Sequence, residues 1–96
     1  MKLNVLIFKN LLIDAFTQPI FDDHATKDAA EQLRRSLIVE KDITKVNPYK
    51  NLQLFCIGSF DDHTGIIESH EPELLLDCSE IVKGRADYVE SKPIER

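Results

Sequence analysis

Apolar and polar positions along the chain fall into short strand-like blocks around one helical stretch. Leu3-Asn4-Val5-Leu6-Ile7-Phe8 is rich in β-branched and large apolar residues and predicts a first strand. Lys9-Asn10 reads as a two-residue reversal, since asparagine tolerates the left-handed backbone of tight hairpins. Residues 11–17 then predict a second strand. Leu12, Asp14 and Phe16 share one side of it, and Leu11, Ile13 and Ala15 the other. Pro19 has no N–H to give and ends regular pairing.

The period then changes. Residues 25–39 contain neither Gly nor Pro, and Thr26, Ala30, Leu33 and Leu37 recur at helical spacing. Asp22 or Asp23 is the expected acceptor for the free N–H groups of the first turn. Glu31 stands three and four residues from its basic neighbours Arg34 and Lys27, which predicts surface ion pairs. Residues 40–51 are polar, with Asn47-Pro48 at their centre, and read as a connection. The best-defined signal follows. The run Leu52-Gln53-Leu54-Phe55-Cys56-Ile57 enters the turn Asp61-Asp62-His63-Thr64-Gly65 and apolar residues resume at Ile66, which predicts a hairpin with Gly65 in a left-handed position. Pro72 interrupts, residues 74–81 predict a further strand, and residues 84–96 read as a charged, loose tail.

The expected architecture is α+β: a small antiparallel sheet of four or five strands in the order β-β-α-β-β, with one helix packed on one face. The domain spans residues 1–83 and the tail 84–96. One helix covers only one side. Yet Leu52, Leu54 and Cys56 point one way while Phe55 and Ile57 point the other. The second side therefore calls for cover, which a homodimer, a partner protein or curling of the sheet into a half-barrel would each supply; a homodimer with Phe55 and Ile57 in its interface is the favoured expectation.

Composition narrows the partners. The 96 residues suffice for one modest core, and 43% hydrophobic with 30% charged residues are ordinary globular values. No apolar run approaches the ~20 residues of a membrane span, and the N-terminal run lacks the features of a signal peptide, so a cytoplasmic protein without membrane contact is expected. Cys56 and Cys78 sit in apolar segments that suit buried thiols. The formal net charge of −5 opposes unaided DNA binding. Arg34, Arg35, Lys41 and Lys45 form the one basic neighbourhood, a candidate nucleic-acid or partner contact, and Phe8, Phe16 and Phe55 are candidates for base stacking.

Metal and catalytic readings are weaker. Asp22, Asp23, His24, Asp61, Asp62, His63 and His70 are ligand types, but they show neither calcium-loop nor zinc-helix spacing. Helix cap and solvated turn account for them. Cys56 with His63 or His70 would make a nucleophile and base, but an apolar strand is a poor place for a thiolate. No phosphate-cradling glycine loop or nucleophile elbow occurs. The expectation is no enzyme, no metal and no cofactor. The tetrapeptide Phe-Asp-Asp-His, at 21–24 and again at 60–63, reads as a coincidence of cap and turn chemistry.

Ala15-Phe16-Thr17-Gln18-Pro19-Ile20-Phe21, then an arginine-bearing helix, then Asn47-Pro48, then Ile57-Gly58-Ser59-Phe60-Asp61-Asp62-His63-Thr64-Gly65 occur in this order. The series resembles the small nonstructural protein of gokushovirus-type microviruses, the single-stranded DNA phages, over roughly residues 3–76. Ile20 stands where that family usually carries an aromatic residue, and Pro48-Tyr49-Lys50-Asn51 is a longer link. The resemblance implies an accessory acting in the host bacterial cytoplasm and not in the virion. It would assist genome replication, or the switch to single-strand synthesis and packaging, through contacts with phage or host replication proteins. The alternatives are a single-stranded DNA-binding module, which the charge disfavours, and a host-directed inhibitor that mimics DNA with Asp22, Asp23, Asp61 and Asp62.

Overall fold

A computed structural model describes residues 1–89. Five antiparallel strands, β1 (Lys2–Asn10), β2 (Ala15–Phe16), β3 (Ile20–Asp22), β4 (Leu52–Asp61) and β5 (Ile67–Asp77), form one sheet with the path β2-β1-β4-β5. β3 pairs with β1 on the same edge as β2, opposite Asn4–Leu6, while β2 lies opposite Lys9–Asn10. Three helices, α1 (Thr26–Val39), α2 (Ile43–Val46) and α3 (Cys78–Lys83), lie together on one side. The α+β class and the antiparallel sheet of four to five strands are as the sequence predicts. The helical layer is larger than expected: two short helices join the long one.

Packing explains that layer. Leu33 and Leu37 of α1, Ile43 and Val46 of α2, and Cys78, Ile81 and Val82 of α3 meet Phe8, Leu52 and Leu76 of the sheet. Leu6, Leu54 and Cys56 continue the core beneath Ala29 and Leu33. α1 starts without a side-chain cap at Ala25, because Asp22 and Asp23 hold the His24 imidazole instead. Its first turn still gains from Asp28, whose charge suits the positive helix end.

Three local expectations are corrected. β1 runs through Lys9-Asn10, and the reversal lies at residues 11–14, where an apolar sequence had read as strand. Asn10 Oδ1 accepts from the Leu12 N–H at 3.0 Å, and Asp14 takes the left-handed backbone at φ 51°. Pro72 does not end pairing, since β5 is an edge strand and a missing N–H is tolerated there. The strand expected over 74–81 instead stops at Asp77, whose carboxylate accepts from Glu80 N at 3.3 Å and from Ser79 Oγ at 2.6 Å, and α3 begins.

The segment expected as a loose tail begins folded. Arg85 donates to Leu37 O at 2.6 Å and Glu40 O at 2.5 Å, carbonyls at the end of α1, and Asp87 holds its guanidinium at 2.9 Å. Tyr88 packs on the helical core. Residues 90–96 of that expectation lie outside the described residues. No helix among the described residues is long and apolar enough to cross a membrane.

Candidate functional site

The register of the sheet decides which side chains face away from the helices. Leu6, Phe8, Leu54 and Cys56 point to the helical core, so Leu3, Val5, Ile7 and Lys9 of β1 point the other way. Opposite them stand Phe60 to Leu3, Gly58 to Val5, Phe55 to Ile7 and Gln53 to Lys9. Phe16 of β2 lies opposite Lys9, Phe21 of β3 opposite Val5, Ile67 of β5 opposite Phe60, and Leu74 opposite Phe55. Every strand puts an apolar side chain on this second face, beside Lys9, Gln53 and Ser69, and no helix among the described residues lies on it.

Its rings are arranged in two pairs that bridge over β1. Phe16 and Phe55 meet edge to face with centroids 5.9 Å apart, and Phe21 and Phe60 meet at 5.2 Å. Beneath them Val5 and Ile7 are buried, although neither belongs to the helical core. The outer rings are not buried: Phe16 is 50% exposed, Phe21 49% and Leu74 51%. At the tip beside β2, Leu12 and Ile13 extend the apolar surface into solvent. Lys9 is the cation of the face; its ammonium lies 5.6 Å from the Phe16 centroid and 3.2 Å from Asp14 Oδ1.

Of the two interface residues read from the sequence, Phe55 lies on this face. Ile57 is the extra residue of a bulge, where pairing passes from Cys56 opposite Leu6 to Gly58 opposite Val5, and it is half-buried. The bulge restores the alternation so that Gly58 and Phe60 face the same way as Phe55. Phe21 and Phe60 are the contributions sequence reasoning missed. Their signal was the repeated tetrapeptide: each copy places its phenylalanine on the open face, and the two rings touch.

Both copies also bring their acidic residues to one end of the sheet, since Asp22 lies opposite Asn4 and Asp61 opposite Lys2. Most of this charge is locally engaged. His24 Nδ1 sits 2.8 Å from Asp22 Oδ1 and 3.2 Å from Asp23 Oδ1. The Met1 amino group donates to Asp62 Oδ1 at 2.9 Å, and Asp61 Oδ1 accepts from the His63 N–H at 2.9 Å, which holds the Asp61 carboxyl below its usual range. Asp22, Asp23 and His24 could each offer one ligand atom within 4.8 Å of the others, but the imidazole there already serves as partner to both carboxylates.

The hydrogen bond that His24 Nδ1 donates to Asp22, then the Asp22 charge, raises the His24 pKa above 6.5. Because the folded value exceeds the unfolded one, the stabilisation is complete below about pH 6.5 and fades as pH rises through the folded value. We expect an NMR titration to place the His24 midpoint above 6.5, and Asp22→Asn to lower it. A midpoint unchanged by that substitution would remove the ion pair from solution.

The basic candidates are on the other side of the molecule. Arg34 and Arg35 share Glu31 Oε1, at 3.4 and 3.2 Å, on α1, while Lys45 lies in α2 and Lys41 just before it. Phe8 joins the helical core, and only Phe16 and Phe55 of the proposed stacking set reach the open face. The aromatic platform and the arginines are thus separated by the sheet. A single strand would meet one without the other.

The thiol chemistry is equally constrained. Cys56 Sγ lies 3.8 Å from His70 Nε2, and His70 Nδ1 is 2.7 Å from Glu71 O, so a proton on Nδ1 leaves Nε2 facing the thiol as acceptor. The sulfur is nonetheless buried beneath the helical layer, where no substrate carbonyl reaches it. Cys78, fully buried, has its pKa pushed up to about 12, first by burial and then by the Asp77 charge. Neither is in a disulfide. We expect both thiols to resist a thiol-reactive disulfide reagent in the native state and to react on unfolding; rapid native labelling of Cys56 would reopen the nucleophile reading.

No protein-family description, characterised protein or solved structure matches this chain.

Proposed function

We propose that the protein is a non-enzymatic accessory that works by protein contact through the uncovered face of its sheet. The carrying observation is that face: Phe16, Phe21 and Leu74 are half exposed beside Phe55 and Phe60, on a side no described helix covers. An apolar surface of this extent is the signature of an interaction site in a water-soluble domain. Together with the ordered elements shared with the gokushovirus nonstructural proteins, it supports a role in the host bacterial cytoplasm, outside the virion. There it would aid the switch from duplex replication to single-strand synthesis and packaging, through a phage or host replication protein.

Direct single-stranded DNA binding is less well supported, because phenylalanines and arginines occupy opposite sides of the sheet. The DNA-mimic reading is weakened by the local partners of Asp22, Asp61 and Asp62. The deciding experiment disrupts this gene in a microvirus genome that encodes it and measures duplex and single-stranded viral DNA in infected cells. The expected result is normal duplex with depleted single strands, rescued by the wild-type chain. An unchanged ratio of the two forms would overturn the reading.

A further inference from the structure

We infer that the occupant of the uncovered face is a second copy of this chain, stacked sheet on sheet about a two-fold axis. The inference rests on the protein-contact reading above and names its partner.

Area is the first argument. Three strands about 4.8 Å apart, with about 3.3 Å of rise per residue over the nine residues of β1, and the five residues of β2 and β3 on its edge give a footprint of about 500 Å² per copy. Two copies would bury about 1,000 Å² before any corrugation is counted, which reaches the ~1,000 Å² that a specific interface needs. The footprint is also sheet-shaped, and two flat apolar sheets packed about 10 Å apart make the ordinary core of a β-sandwich.

Charge is the second argument. Each chain carries −5 overall, yet the centre of the face is occupied by Val5, Ile7, Phe16, Phe21, Phe55 and Phe60. The charges around it are turned away or paired within the chain: Asp22 and Asp61, opposite Asn4 and Lys2, lie on the helix side, and the Lys9 ammonium is held 3.2 Å from Asp14 Oδ1. A second copy is therefore not repelled at this face, and a strongly basic or acidic partner would find no unmatched charge on it. A two-fold axis in the plane between the sheets lays the ring pairs of one copy on those of the other, which is the self-complementary contact such an interface requires.

The test is sedimentation equilibrium of the full chain from about 1 to 200 μM, at low and high salt, with Phe16→Asp and Phe21→Asp alongside. Wild-type chain is expected to dimerise, more tightly as salt screens the −5 on each copy. Each aspartate, placed on a half-exposed ring position, is expected to weaken association about thirtyfold or more while the circular dichroism spectrum is kept. A wild-type monomer at 200 μM overturns the inference, as does a dimer untouched by both substitutions. If the aspartates unfold the chain, Lys9→Glu carries the test: weaker association supports the arrangement and unchanged association overturns it. The two readings separate in infected cells. A monomeric wild type whose Phe16→Asp form still loses single-stranded product leaves protein contact standing with another partner. A dimer whose dissociation leaves viral DNA unaffected keeps the inference and removes the function.

Discussion

Gly58→Ala is expected to destabilise the fold by more than about 3 kcal/mol, or to prevent folding altogether. The position has no unusual backbone conformation; the obstacle is proximity. A Cβ on residue 58 would stand 2.1 Å from the Glu68 carbonyl oxygen and 3.0 Å from the Ser69 Cα. Both are backbone atoms of β5, so no rotamer relieves the clash. The cause lies in register: pairing shifts between Cys56 and Gly58 as His70, Glu71 and Pro72 bulge out of β5, and the strands draw together just beyond. Making room means separating β4 from β5, and with them Phe60 from Ile67 on the open face. Gly65→Ala is the control. Gly65 has φ +73° but open space around it, so alanine there costs only the left-handed backbone penalty of about 1 kcal/mol. Urea unfolding of the two variants should separate them clearly. A Gly58→Ala loss no larger than that of Gly65→Ala would show that β5 shifts freely.

These two glycines also mark what was legible in the sequence. Gly65 was readable because its demand is local: a turn needs one residue at positive φ, and the hairpin around it announces the turn. The demand on Gly58 is set by a strand that approaches through a bulge, and no pattern within residues 52–58 encodes that approach. The same division holds elsewhere. The helix over 25–39 and the two-sided apolarity of β4 follow from periodicity and proved sufficient to predict an uncovered face. The turn at 11–14 was hidden because Leu11, Leu12 and Ile13 are apolar, and its informative residues were the flanking Asn10 and Asp14. Asp77 and Glu80 show the helix-start spacing of a capping box, but the leucines before them had already assigned the segment to a strand. Arg85 could not be read at all, since its meaning lies in carbonyls 45 and 48 residues away.

The two sides of the sheet should answer differently to truncation, and Leu37→Ala sets the scale. Leu37 is 2% exposed at the point where α1 meets α2 and α3, packed with Val46, Cys78 and Val82. Removing its isopropyl group forfeits the burial and leaves a cavity that three helices cannot all close, a loss of about 3–5 kcal/mol. In a domain of this size that lowers Tm by roughly 15–25 °C. Phe21→Ser on the opposite side removes a larger side chain, but one already half in water. Its cost to the isolated chain is the contact with Phe60, about 1 kcal/mol. Thermal unfolding at low concentration should therefore rank Leu37→Ala as the severe variant by a wide margin. Association should rank them the other way, with Leu37→Ala binding through an unaltered face whenever it is folded and Phe21→Ser failing to bind. A Phe21→Ser variant as unstable as Leu37→Ala at low concentration would mean that the open face is a second core of the single chain. The need for a partner, which is what the exposed rings express, would then disappear.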